Sequence, residues 1–414
     1  MNFAATNEPG TSLTPNLKFK ISLKNIKIMI YIINIIMGEH KANLDSIENE
    51  KTFLGSRVKE FRERFGWSQT ELANAIGVGS AQIISALESG QREIKAWELA
   101  KIASSLRISV ETLLKADSKP EPVLLWRAQP ETRSKEIEAL FTQRCSRYAL
   151  LEEWCGVTPL QELKPIHFHG PDPQFAQIER EAENCRDAMK LGGRPACSLA
   201  KTLQEDYGVK IFYEELGDQG AALSARGDFG FGVLINSSNA PWRRNFSLAH
   251  ELFHLLTFDH WQSHRQEQFA DVFASALLLP AEPLLSVLGS RTSDGKLSFE
   301  KLVETAREFD VSAEALLWRT VNLGRTKKDV VIKALASPRL KSLDKANRIW
   351  TVPESLPERY VHLCFTAYRA GKIGRAKLAE FLEKSLVDLA EEMNLQKGED
   401  ITGDGENQIA VVGC

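Results

Sequence analysis

His250-Glu251-Leu252-Phe253-His254 lies between Phe246-Ser247-Leu248-Ala249 and Leu255-Leu256. The apolar residues of this run recur at helical spacing, so the two histidines, at i and i+4, project from one helix face. Two neutral imidazoles placed this way reach a single Zn²⁺ at about 2.0–2.1 Å and leave room for a third ligand and a water. Glu251 directly follows the first histidine, where a general base can take the proton of that water. The competing reading is an amphipathic helix whose histidines merely pack. With 8 histidines in 414 residues the coincidence is the weaker explanation.

Two residues qualify as the third ligand. Glu267 opens a second helical segment, Glu267-Gln268-Phe269-Ala270-Asp271-Val272-Phe273, that runs to Pro280. Glu267 and Asp271 are i and i+4 on its polar face, so Glu267 completes a His₂Glu set while Asp271 accepts the second ring N–H of a ligand histidine and fixes its tautomer. The alternative is His260, because His250 to His260 matches H-E-x-x-H-x-x-G-x-x-H except for Thr257 in place of the glycine. A β-branched residue resists the sharp turn that the glycine allows. No methionine lies between Met189 and Met393 to form a nearby Met-turn either. Glu267 is the preferred ligand.

The stretch from Gly230 to Pro280 resembles the ImmA/IrrE family of metallopeptidases. The likeness rests on an apolar strand ending in Val233-Leu234-Ile235-Asn236, on Arg244-Asn245-Phe246-Ser247-Leu248-Ala249 leading into the histidine helix, and on the Glu267 to Pro280 helix. It extends more weakly over residues 175–325. The resemblance implies zinc held by His250, His254 and Glu267, with Glu251 as base, and an enzyme that cuts a partner repressor or antitoxin. Phe253 stands where a glycine is common in the family and is expected to narrow the cleft. Arg243 and Arg244 are read as a solvated basic pair rather than as substrate contacts.

Upstream, Val58, Phe61 and Phe65 share one helical face. Ser68 is an N-cap for Gln69-Thr70-Glu71-Leu72-Ala73, Ile76-Gly77-Val78-Gly79-Ser80 forms a turn, and a helix from Ala81 to Glu88 closes at Ser89-Gly90. A further helix runs through Trp97 to Ala103. From Leu54 to Leu114 this resembles the XRE-type helix-turn-helix domain of phage repressors, with one extra residue between Gly77 and Glu88. The likeness implies a double-stranded DNA operator as partner, with the helix from Ala81 in the major groove. Ala81, Gln82 and Ser85 then face bases, Gln82 being suited to adenine, while Gln69 grips a phosphate. Arg57, Lys59, Arg62, Arg64, Arg92 and Lys95 suit a phosphate backbone. A homodimer on a palindromic site is the expected assembly. The fold also serves protein docking, which is the alternative.

Composition fits these readings. A chain that is 43% hydrophobic can form two or three domains, and a net charge of −3 confines any DNA affinity to local clusters. The six cysteines, Cys145, Cys155, Cys185, Cys197, Cys364 and Cys414, show no C-x-x-C spacing and read as free thiols in a reducing cytoplasm. Lys18, Lys20, Lys24 and Lys27 precede an apolar run, Ile28 to Met37, that is too short to span a bilayer and lacks a cleavage site. Met37 is a plausible native start, and no membrane association is expected.

The expected organisation is a disordered tail (1–50), an all-α helix-turn-helix domain (51–117), a linker beginning at Lys119-Pro120-Glu121-Pro122 with a helical connector (118–174), an α+β zincin-like metallopeptidase domain (175–325) and a mainly helical C-terminal region with a polar tail (326–414). Gly371 to Ala390 has a faint helix-turn-helix pattern but reads better as a helical hairpin. The function expected is a cytoplasmic DNA-binding regulator with zinc-dependent endopeptidase activity. The alternative is a repressor whose peptidase-like domain only senses a signal or holds a partner.

Overall fold

The computed structural model describes residues 47–401 apart from 115–121, 171, 218–221, 259–262, 292–295 and 346–349. These fall into two compact units divided between Lys115 and Ala116. The basic-apolar run with Met37, the linker at 119–121, His260 and Cys414 lie outside the described residues.

The first unit is five helices: α1 (Ile47–Arg64), α2 (Gln69–Ile76), α3 (Ala81–Glu88), α4 (Ala96–Ser105) and α5 (Val110–Leu114). Helix α1 begins before residue 51, where the ordered domain was expected to start. Ser68 and Glu71 form a capping box at the start of α2, each satisfying a backbone N–H of the other. Gly77 ends α2 at φ 74°, a left-handed conformation that costs glycine little. Val58, Phe65, Leu72, Ile76, Ile84, Leu87, Ile102 and Leu113 form a closed core. A side chain at Gly55 would collide with the carbonyls of Leu87 and Glu88, so glycine is what lets α1 cross the end of α3.

The second unit is built on a four-stranded mixed sheet of β1 (Val123–Trp126), β2 (Lys210–Glu214), β3 (Ala222–Gly227) and β4 (Gly230–Asn236), in the order β1-β3-β4-β2. β3 pairs antiparallel with both β1 and β4, while β2 and β4 are parallel. The period of two sends Ile211, Val233 and Ile235 to one face and Phe212, Leu223 and Leu234 to the other. Both faces are covered.

The inner face carries α9 (Pro241–Thr257) and α10 (Gln266–Leu278), with α7 (Phe175–Ala188), α8 (Leu199–Glu205), α11 (Ala281–Arg291), α12 (Phe299–Glu308) and α13 (Ala313–Asn322) completing that core. Pro241 sits in the first turn of α9, where its missing N–H costs nothing.

The outer face is covered by α6 (Ser134–Cys155) together with the C-terminal helices α16 (Glu358–Arg369), α17 (Arg375–Phe381) and α18 (Leu386–Ile401). A Cβ at Gly232 would lie 2.8 Å from the Cys145 sulfur and 3.0 Å from Phe141, so glycine there admits α6. Arg144 of α6, 4% exposed, donates to Glu214 at 2.7 Å and to Glu383 at 2.7 and 2.9 Å. Glu152 bridges Lys210 and Arg359 at 3.0 and 2.6 Å. The stretch 118–174, read from the sequence as linker and connector, thus supplies an edge strand and one of the helices that cover the outer face. The C-terminal helices supply the larger part of that cover, and ahead of them in the chain α14 (Lys328–Ala336) and α15 (Pro338–Lys345) pack back on the inner core. Among the described residues no single helix is long and apolar enough to cross a membrane.

Candidate metal centre and helix-turn-helix face

Helix α9 presents the rings of His250 and His254 side by side, with 3.1 Å between their Nε2 atoms. Glu267, from the first turn of α10, brings Oε2 to 3.1 Å from Nε2 of His250 and Oε1 to 3.3 Å from Nε2 of His254. Among the described residues these three are the group whose ligand atoms lie close enough to hold a metal ion. Their spacings approach the roughly 3.3 Å edge of a tetrahedron with bonds of about 2.0–2.1 Å. The ring Nδ1 of His250 faces Asp271 Oδ1 at 2.8 Å. A proton on Nδ1 leaves the lone pair of Nε2 pointing at a carboxylate and a second imidazole, an arrangement of acceptors that a cation resolves.

Burial alone would lower the His250 imidazole, yet its hydrogen bonds to Asp271 and Glu267 outweigh that and hold it above the ordinary histidine range, while the Arg127 charge opposes them. Partial burial would raise Glu267, but the two histidines hold it well below the usual carboxylate range.

Glu251 projects from α9 to the sheet and is fully buried. Ser224 of β3 donates its hydroxyl to Oε2 of Glu251. The second oxygen, Oε1, is buried with no hydrogen-bond partner. A buried carboxylate oxygen without a donor is costly in a structural role and fits a group that accepts a proton from a bound water. The donor set and this orphaned oxygen fit zinc and its water.

Two residues that sequence reasoning missed stand beside the site. Ser224 pairs in register with Val233 on the sheet's inner face. Arg127, just beyond β1, reaches Asp271 at 3.2 Å and Ser247 at 3.4 Å. Neither carries a local motif signal, since each acts through a residue distant in sequence.

Two finer expectations change. Phe253 is fully buried among Phe168 and Phe273, at ring-centroid distances of 6.3 and 5.4 Å, and so packs the core rather than narrowing a cleft. Arg244 is no solvated cation: it donates to the carbonyls of Ser237 and Asn239 and lies near the rings of Tyr213 and Trp350. Thr257, which as a β-branched residue was expected to resist a sharp exit from the helix, is the last residue of α9, its hydroxyl donating to the Phe253 carbonyl at 2.9 Å.

In the first unit, Gln82 and Ser85 are exposed on one face of α3, with Ala81 half-buried beside them and Ile84 and Leu87 in the core. Gln69 donates to Glu88 at 2.8 Å, so its amide nitrogen is engaged within the domain. Several basic residues read as phosphate contacts are likewise structural. Arg62, 6% exposed, pairs with Glu88 at 2.6 Å, an interaction that raises its guanidinium further. Arg57 bonds Glu60 and the Thr112 carbonyl, and Arg92 bonds Glu98 at 2.8 Å. Lys59 and Lys95 remain exposed, and Arg64, also exposed, pairs with Glu60.

This combination defines a helix-turn-helix protein with a metallopeptidase-type domain. Residues 58–113 match the family model described as Helix-turn-helix, and residues 204–320 match that of peptidase family M78, described as IrrE N-terminal-like domain. The chain is similar to the radiation response metalloprotease IrrE of Deinococcus deserti, with 32% identity over 142 residues, which is 31% of this chain and 47% of that protein. It is also similar to the HTH-type transcriptional regulator SutR of Escherichia coli strain K12, with 26% identity over 144 residues, 34% of this chain and 77% of that one. The chain thus spans about half the length of the first of these relatives. It carries the ImmA/IrrE type of domain behind an N-terminal XRE-type helix-turn-helix.

Proposed function

We propose that this chain is a cytoplasmic, DNA-binding regulator with zinc-dependent endopeptidase activity, which switches transcription by cutting a partner repressor or antitoxin. The observation that carries the reading is the buried, unpartnered Oε1 of Glu251 beside the converging side chains of His250, His254 and Glu267. Zinc bound by these three ligands supplies Lewis-acid polarisation of a peptide carbonyl and acidifies a water. Glu251, held through Oε2 by Ser224, takes a proton on Oε1 and passes it to the leaving amine. Asp271 keeps His250 in the Nδ1–H tautomer, so that Nε2 is free to ligate.

In the first unit, α3 is the element proposed to enter the major groove of an operator, with Gln82 and Ser85 facing bases and Ala81 beside them. Lys59 and Lys95 are exposed cations available for phosphate, whereas Arg64, also exposed, is paired with Glu60. Gln69 reaches a phosphate only by sharing or releasing Glu88. A homodimer on a palindromic operator completes the proposal.

The test is a cell carrying the partner repressor together with either the wild type or Glu251→Gln. Wild type should yield cleaved repressor and derepressed transcription. Glu251→Gln should keep zinc and operator binding while losing cleavage by about 100-fold or more. Equal regulation by the two forms would replace this reading with that of a sensor-repressor.

A further inference from the structure

We propose that Arg127 is a positioning residue of the metal centre, holding Asp271 against His250 and so fixing the ring whose Nε2 faces the metal. The inference rests on the reading of His250, His254 and Glu267 as metal ligands.

The backbone N–H of Arg127 donates to the Ala222 carbonyl at 3.1 Å, continuing the ladder between β1 and β3 and giving the residue a rigid base. From there its guanidinium spans two helices. Nη2 reaches Asp271 Oδ1 on α10 at 3.2 Å, and Nη1 reaches the Ser247 hydroxyl on α9 at 3.4 Å. Its carbon lies 5.9 Å from the Phe246 ring centre. Ser247 precedes His250 by one helical turn, so the two nitrogens of one planar fork touch both the helix that carries the histidines and the helix that carries Glu267 and Asp271.

Asp271 needs such a partner. Its side chain is 52% exposed, whereas that of His250 is 1% exposed. A half-exposed aspartate samples several rotamers in water. The oxygen that accepts from His250 Nδ1 is the one that Arg127 holds. Partners of this kind set ring orientation and ligand basicity, and losing one typically weakens metal binding by about 10- to 100-fold. Arg127 lies outside residues 204–320, so the metal centre draws on an edge strand that the matched domain does not include.

The experiment measures zinc affinity of the full chain by competition with a chromogenic chelator, and the visible spectrum of the Co²⁺-substituted protein, with circular dichroism as the control for folding. Arg127→Met should bind zinc about 10- to 100-fold more weakly, with a changed Co²⁺ spectrum. Arg127→Lys should fall between it and wild type. Because Arg127 acts through Asp271, Arg127→Met combined with Asp271→Asn should bind no more weakly than Asp271→Asn alone. A folded Arg127→Met chain with wild-type affinity and spectrum overturns the assignment, as do fully additive losses in the double variant. If the Met form fails to fold, the Lys form decides. Weaker zinc with an altered Co²⁺ spectrum supports the proposal, and wild-type values for both overturn it. A wild-type chain that takes up no zinc removes the metal reading itself, an outcome distinct from zinc binding that is indifferent to Arg127.

Discussion

Ser224 and Glu251, 27 residues apart in sequence, are joined by a hydrogen bond across the packed interface of β3 and α9, the serine hydroxyl donating to Oε2. Ser224 is fully buried, on the same sheet face as Val233 and Ile235. A polar side chain among those hydrophobic residues is explained by the carboxylate it orients. The bond leaves Oε1 as the free end of Glu251.

Replacing Ser224 by alanine strips the buried carboxylate of its donor. The fold should lose about 1–3 kcal/mol, read as a lower urea midpoint at unchanged slope. Zinc content should stay at the wild-type level. Single-turnover cleavage of the partner should slow by about tenfold or more, since a misdirected base costs on the order of 1.4 kcal/mol for each tenfold in rate. A Ser224→Ala chain with wild-type stability and rate would show that the hydroxyl only fills space.

Glu267→Gln should abolish stoichiometric zinc, because a neutral amide is a poor replacement for a carboxylate beside two imidazole nitrogens. His260→Ala should leave zinc content unchanged. Elemental analysis of the purified variants separates the two ligand sets, and the reverse result would move the third ligand to His260.

Chelation should destabilise the second unit selectively. A ligand present at 100 times its dissociation constant stabilises the folded state by about 2.7 kcal/mol, so removing the metal should lower the melting transition of that unit and zinc should restore it. The chain with His254→Ala should melt at the chelated temperature with or without zinc. The helix-turn-helix transition should not move in either case.

In the first unit, Gln82→Ala should relax base preference at one operator position with no change in thermal stability, because the side chain is exposed. Arg62→Met should act on stability instead. It leaves Glu88 without its buried partner, a loss of about 3 kcal/mol that is visible in thermal denaturation of the unit. If Arg62→Met folded normally and lowered only the salt dependence of DNA binding, Arg62 would be a phosphate contact after all.

Local spacing made much of this protein legible. Histidines at i and i+4 share a helix face by geometry alone, and the same rule places Glu267 with Asp271. Ser68 with Glu71 marks a helix start, and Gly77 marks its end, because capping is satisfied within one turn of chain. The apolar run Val233-Leu234-Ile235-Asn236 was enough to mark the end of a strand, which is β4.

Only the tertiary structure decided which distant partners meet. The four residues of β1 are too few for a periodic signal, and their strand character comes from pairing with β3. Arg62 and Arg92 look like phosphate ligands in the sequence, but Glu88 and Glu98 claim them in the folded domain. The C-terminal helices cover the sheet because Phe212, Leu223 and Leu234 on its outer face must be buried, a demand that no segment states by itself. Ser224 and Arg127 acquire their contacts with Glu251 and Asp271 in the same way. Helix geometry is written in neighbouring residues, whereas contacts between elements depend on how whole faces pack, and that is settled only when the chain has folded.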